Sequence, residues 1–191
     1  MIVAPKLFGV WLTEWRLRRG AMSYVAAISA EPDEGDVRWL AAVATSGDVD
    51  RARWELRYAR RALGLLIAER DALDDRTASL VARILREALQ VDRSIAAGMV
   101  RVAERQLNDR LASYRQVLAD RSTTEGTGTR LGRMLLRSAN AGRTDVAALQ
   151  RAGELLAQYV GAANEALRKS FGVVSLPEDR PPSDLLKGAG R

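Results

Sequence analysis

Val49, Ala52, Leu56, Ala59, Leu63 and Leu66 follow one another at spacings of three, four, three, four and three. A helix turns about 100° per residue, so these positions form one apolar stripe, the a and d seam of a heptad. A chain built on such a stripe has to bury it against another helix. The spacing continues through Val81, Ile84, Ala88, Val91, Ile95, Gly98 and Val102, after which the register shifts to Leu107, Leu111, Tyr114 and Leu118. A third seam runs through Val146, Leu149, Gly153, Leu156, Val160, Ala163, Leu167 and Phe171 and stops at Gly172. No stretch alternates with period two convincingly, and no segment repeats at a fixed period. The expected fold is all-α, an elongated helical bundle with long antiparallel helices packed through heptad-like seams.

Local chemistry sets the expected breaks. A single helix over 48–121 would far exceed the usual length of about a dozen residues. The polar run from Asp71 to Asp75 therefore predicts a hairpin near Asp74, with Asp74 or Asp75 as cap, and Gly98 marks a kink or close crossing beside the register shift. Asp36 is expected to cap a short helix carrying Val37, Leu40, Ala41 and Ala44, which ends at Ser46, Gly47 and Asp48. Residues 122–129, all Ser, Thr, Gly, or Glu, read as a flexible linker. After it, Leu131, Met134 and Leu135 predict a short helix ending near Asn140 to Gly142, and Thr144 or Asp145 caps the last one. The bundle domain spans 36–172, and the Pro- and Gly-rich tail, 175–191, is expected to be disordered, with Leu185 and Leu186 its one late apolar pair.

Residues 1–30 form an amphipathic segment of a different kind. Arg16, Arg18 and Arg19 precede an apolar run from Ala21 to Ala30, in the order of a secretory signal. Ser23, Tyr24 and Ser29 interrupt that run, and Ile28 would stand third before a cut after Ala30, so a retained helix is the preferred reading. Met22 is an alternative start. Leu7, Trp11, Trp15 and Arg18, spaced four, four and three, share a helix face, and Trp11, Trp15, Arg18 and Arg19 form a candidate anchor. Packing on the chain's own core is its plainest role, with a partner or a membrane interface as alternatives.

The 191 residues contain no cysteine and no histidine. Thiolate and imidazole chemistry, including the common zinc and di-iron motifs, is thereby excluded. Asp71, Asp74 and Asp75 could hold Mg²⁺ before a diphosphate, but no second carboxylate cluster accompanies them, and a capped helix turn accounts for them. Glu31 and Glu34 flank Pro32 at a helix entrance. No catalytic residue, metal site, cofactor or small-molecule substrate is expected.

The formal net charge is +6, and of 30 basic residues only Lys6, Lys169 and Lys187 are lysine. Arginine suits bidentate contacts with phosphate or carboxylate, although 24 interleaved acids offset much of the field. Arg53, Arg57, Arg60 and Arg61 lie away from the Leu56 seam, as do Trp54, Tyr58 and Leu65, a second apolar stripe bordered by guanidinium groups. Burial in the chain's own bundle is the plainest account of that stripe, contact with another copy the next, and nucleic acid the third. From this follows the expectation of a non-enzymatic, cytoplasmic helical interaction or scaffold protein that self-associates or joins a larger assembly. Trp54, Tyr58, Leu65 and Arg61 are its candidate interface. The alternative is an Arg-dependent binder of nucleic acid or another polyanion through Arg53, Arg57, Arg60 and Arg61. No apolar run reaches the roughly 20 residues that span a bilayer, and peripheral membrane contact is the least favoured reading.

Overall fold

The computed structural model describes residues 4–72, 74–96, 98–120, 124–142 and 144–172, with side chains from residue 13 onward. Seven helices account for the regular structure among the described residues, and no strand occurs there: α1 (Ala4–Ile28), α2 (Glu34–Ala44), α3 (Val49–Asp71), α4 (Asp75–Gln90), α5 (Val100–Ala119), α6 (Thr127–Ser138) and α7 (Val146–Phe171). The expected tail, 175–191, lies outside the described residues.

Helix α3 is the axis, packing against each of the other six. Its seam residues Ala52, Leu56, Ala59, Leu63 and Leu66 are buried, and Val49 at its start is exposed. From Glu55 to Ala68 every residue except Arg60 is buried, so the helix is covered well beyond its seam. Each buried Leu contributes about 1.5–3 kcal/mol, which makes this one helix a large share of the core.

Aspartates start the helices by accepting backbone N–H bonds that have no partner inside the first turn. Asp48 accepts from Arg51 N at 2.9 Å, Asp74 from Thr77 N at 2.6 Å and Asp145 from Ala148 N at 2.6 Å. The expected hairpin at Asp74 is thus a break between α3 and α4. Helix α2 differs from expectation, because Asp33 caps it and Asp36, inside the first turn, pairs instead with Arg151.

Three further expectations are corrected. The seam from Val81 to Val102 is not continuous: α4 ends at Gln90, and Gly98 has a φ of +84°, a left-handed conformation that no helix passes through. Val91 and Val102, counted into the seam, are exposed. The expected linker ends early, since Thr127, Gly128 and Thr129 already form the first turn of α6. Close approach to α7 explains why glycines stand there: a Cβ on Gly132 would lie 2.7 Å from both Gly153 N and Leu149 O, and one on Gly153 2.8 Å from Gly128 O. Finally, a glycine, here Gly142, is the residue expected to take the left-handed conformation that stops α6, and Asn140 takes it instead, with a φ of 73°.

The apolar run of the N-terminal segment belongs to the core. Ala21, Tyr24, Val25 and Ile28 are buried, and the Tyr24 hydroxyl donates to Gly64 O at 2.7 Å. Gly20 packs so closely on the end of α7 that a Cβ would lie 2.7 Å from Ser170 O.

The two kinds of glycine make opposite predictions. Gly132→Ala would force α6 and α7 apart and should lower stability in urea by about 1–3 kcal/mol. Gly161→Ala, mid-helix with nothing within 4 Å of the new methyl, should raise it by about 1 kcal/mol.

Candidate protein-interaction site

Burying α3 leaves its charged residues in need of partners, and other elements supply them. Glu55 accepts from Arg110 of α5, Nε to Oε2 at 2.8 Å and Nη2 to Oε1 at 2.6 Å, with the two side chains 8% and 17% exposed. That bond holds the Arg110 guanidinium above its ordinary pKa. Arg53 pairs with Glu34 of α2. Arg57, 9% exposed, grips Glu31 through Nε at 3.0 Å and Nη2 at 2.8 Å, and its Nη1 donates to Ser94 Oγ at 3.1 Å.

From Ser94 the network turns back to α3. The Ser94 hydroxyl and backbone N–H both donate to Asp92 Oδ1, at 2.6 and 2.9 Å, and Asp92 Oδ2 accepts from Arg61 Nη2 at 3.2 Å. Burial would push the Asp92 carboxyl up, but Ser94 and Arg61 together hold it below the ordinary carboxylate range. The segment between α4 and α5 is in this way tied to α3 at two guanidinium groups.

The tied segment frames an apolar depression of about 300 Å³ against α3. Trp54, Tyr58, Ile95, Met99, Val102 and Ala103 line it. The Trp54 and Tyr58 rings stand 5.5 Å apart at 32°, and the Arg57 guanidinium lies 4.6 Å from the centre of the Trp54 ring. Met99 is 49% and Val102 43% exposed, and Val91 on the same connection is 76% exposed. Of eight exposed large apolar residues among those described, three fall within 91–102.

The candidate residues separate in the structure. Trp54 and Tyr58 share the depression, Trp54 half-buried and Tyr58 nearly covered. Leu65 is buried further along, among Leu85, Leu89, Leu107 and Leu111 of α4 and α5. Arg61 is buried with Asp92, its Nε and Nη1 without a partner among the described residues. Of Trp54, Tyr58, Leu65 and Arg61, the last two are buried within the chain, because α4 and α5 cover that side of α3. Val102, which the sequence places in a seam, lies at the surface instead, together with Met99.

The four arginines proposed for a polyanion are occupied too. Arg53, Arg57 and Arg61 hold Glu34, Glu31 and Asp92, and Arg60 stacks 5.4 Å from the Tyr159 ring centre. Asp71 is bound by Arg70, at 2.7 and 2.6 Å, and Asp74 is a cap; no group of three acids placed to hold a metal occurs among the described residues. At the N-terminal segment, Trp15, Arg18 and Arg19 are exposed, and the side chain of Trp11 lies outside the described ones. Comparison with protein-family models, curated proteins and solved structures finds no match for the chain.

The Asp92 bridge has a definite pH dependence. A carboxylate whose pKa is lower folded than unfolded stabilises the fold fully above its unfolded value, about 3.9, and loses that contribution as pH falls through the folded value. Asp92→Asn should therefore cost about 2 kcal/mol at pH 7, with the gap to the wild type closing on acidification below about pH 4 in urea titrations.

Proposed function

We propose that this chain is a non-enzymatic helical interaction protein of the cytoplasm that self-associates or takes its place in a larger assembly. Its contact surface is the depression at Trp54 and Tyr58, with the exposed Met99 and Val102 that line it. The observation that carries the reading is the combination of a half-buried Trp with exposed Met and Val around a pocket whose walls are fixed. Aromatic and Met side chains in a preformed, water-excluding hollow are the usual centre of a protein interface.

The network through Glu31, Arg57, Ser94, Asp92 and Arg61 supports it. An interface whose rim is already ordered loses less conformational entropy on docking than one that must be assembled. Such a contact needs roughly 800 Å² from each partner, more than the depression alone offers, so the exposed edge of α5 belongs to the proposed footprint. Long helices packed antiparallel through heptad-like spacing, as an elongated platform, form part of the same proposal.

Because Met99 and Val102 are exposed, they can be changed without opening the core. Size-exclusion chromatography with light scattering should give a mass above the 20.9 kDa of one chain for the wild type. Met99→Glu and Val102→Glu should return it to that value with helicity retained. An unchanged multimer in both variants would refute the assignment.

A further inference from the structure

A second surface of the molecule is independent of the depression. Helix α1 turns Ala21, Tyr24, Val25 and Ile28 to the core, while Trp15, Arg18, Arg19 and Met22 lie about 120° round the helix. Trp15 is 49% and Met22 56% exposed, although the sequence alone gives Trp15 a place in the core as its plainest role. The Arg19 guanidinium stands 5.4 Å from the centre of the Trp15 ring, so the two side chains form one amphipathic unit.

The charge on this face is of one sign. Arg16, Arg18 and Arg19 are exposed and have no acidic partner among the described residues, whereas the single acid of the first 30 residues, Glu14, is bound by Arg76 of α4. The helix carries no acid in its first turn. The backbone remains helical back to Ala4, and Trp11 precedes Trp15 by four positions in the sequence.

We propose that the outer face of α1 docks on an anionic lipid surface. The chemistry is that of an interfacial helix: an indole and a thioether enter the boundary between headgroups and acyl chains, and the guanidinium groups remain at the level of the lipid phosphates. Charge complementarity decides between occupants. An apolar protein groove would accept Trp15 and Met22 but would have to desolvate Arg18 and Arg19 without acids of its own, while an anionic bilayer offers phosphates to both. No helix among the described residues is long and apolar enough to cross a membrane, so the contact is peripheral.

Sedimentation with vesicles tests this on the 191-residue chain. The protein should bind vesicles of phosphatidylglycerol and phosphatidylcholine, bind phosphatidylcholine alone far more weakly, and dissociate as salt rises. Arg18→Ala and Arg19→Ala should each weaken binding about fivefold, and Trp15→Ala about tenfold. In the absence of lipid, the mass of Trp15→Ala should equal that of the wild type, since self-association is assigned to Met99 and Val102. Failure to bind the anionic vesicles at low salt would overturn the proposal. So would binding that none of the three substitutions weakens, or a mass that falls in Trp15→Ala without lipid, which would make this face a protein contact.

Discussion

Covering a helix on every side is difficult when it carries charge, and α3 carries a good deal. Between Glu55 and Ala68 only Arg60 escapes burial, yet the same stretch holds Glu55, Arg57 and Arg61. An unpaired ion in that position would cost several kcal/mol, so the surrounding helices are arranged as much by the need to deliver counter-charges as by apolar packing. Arg110 comes from α5, Asp92 from the connection before it and Glu31 from the turn before α2. Each is fixed in orientation by a bidentate or two-sided contact, which apolar burial by itself would not impose.

That dependence explains why the apolar depression exists. Among its described residues the connection between α4 and α5 runs in turns, with Ile95 N donating to Asp92 O and Met99 N to Ala96 O, and Ser94 and Asp92 tie it back to Arg57 and Arg61. Ile95 of the connection and Ala103 of α5 close on Trp54 and Tyr58, while Met99 and Val91 are left at the surface. Polar contacts beneath and apolar side chains above are therefore two sides of one arrangement.

Local signals were the readable ones. The burial of Ala52, Leu56, Ala59, Leu63 and Leu66 on α3, the break at Asp74 and the cap at Asp145 depend on residues a few positions apart, and the structure has all three. The 91–99 connection is hidden from the pattern because Val91, Ile95 and Val102 keep heptad spacing although α4 has already ended at Gln90. Spacing is blind to whether the backbone between the positions remains helical. The fate of the second stripe was hidden for another reason. Whether Leu65 and Arg61 face solvent depends on α4 and α5, and the partners of Arg61, Arg57 and Glu55 stand 31, 26 and 55 positions away. Asp33 takes the cap expected of Asp36 because the helix starts at Glu34, two residues before Asp36, which places Asp36 inside the first turn.

The pairing of α1 with α7 has a consequence for biosynthesis. Gly20 and Tyr24 meet Ser170 and Phe171, so the two sides of this contact are separated by about 150 residues of chain. At a ribosomal rate of about 5–20 residues per second, α1 waits roughly 10–30 s for the helix that covers it. During that interval Tyr24 lacks its Phe171 neighbour and Gly20 its cover, and the nascent segment is a natural client for chaperones. Contact between α1 and α7 can form only once α7 has left the ribosome, so closure of the bundle waits for the helix most distant from α1 in the chain.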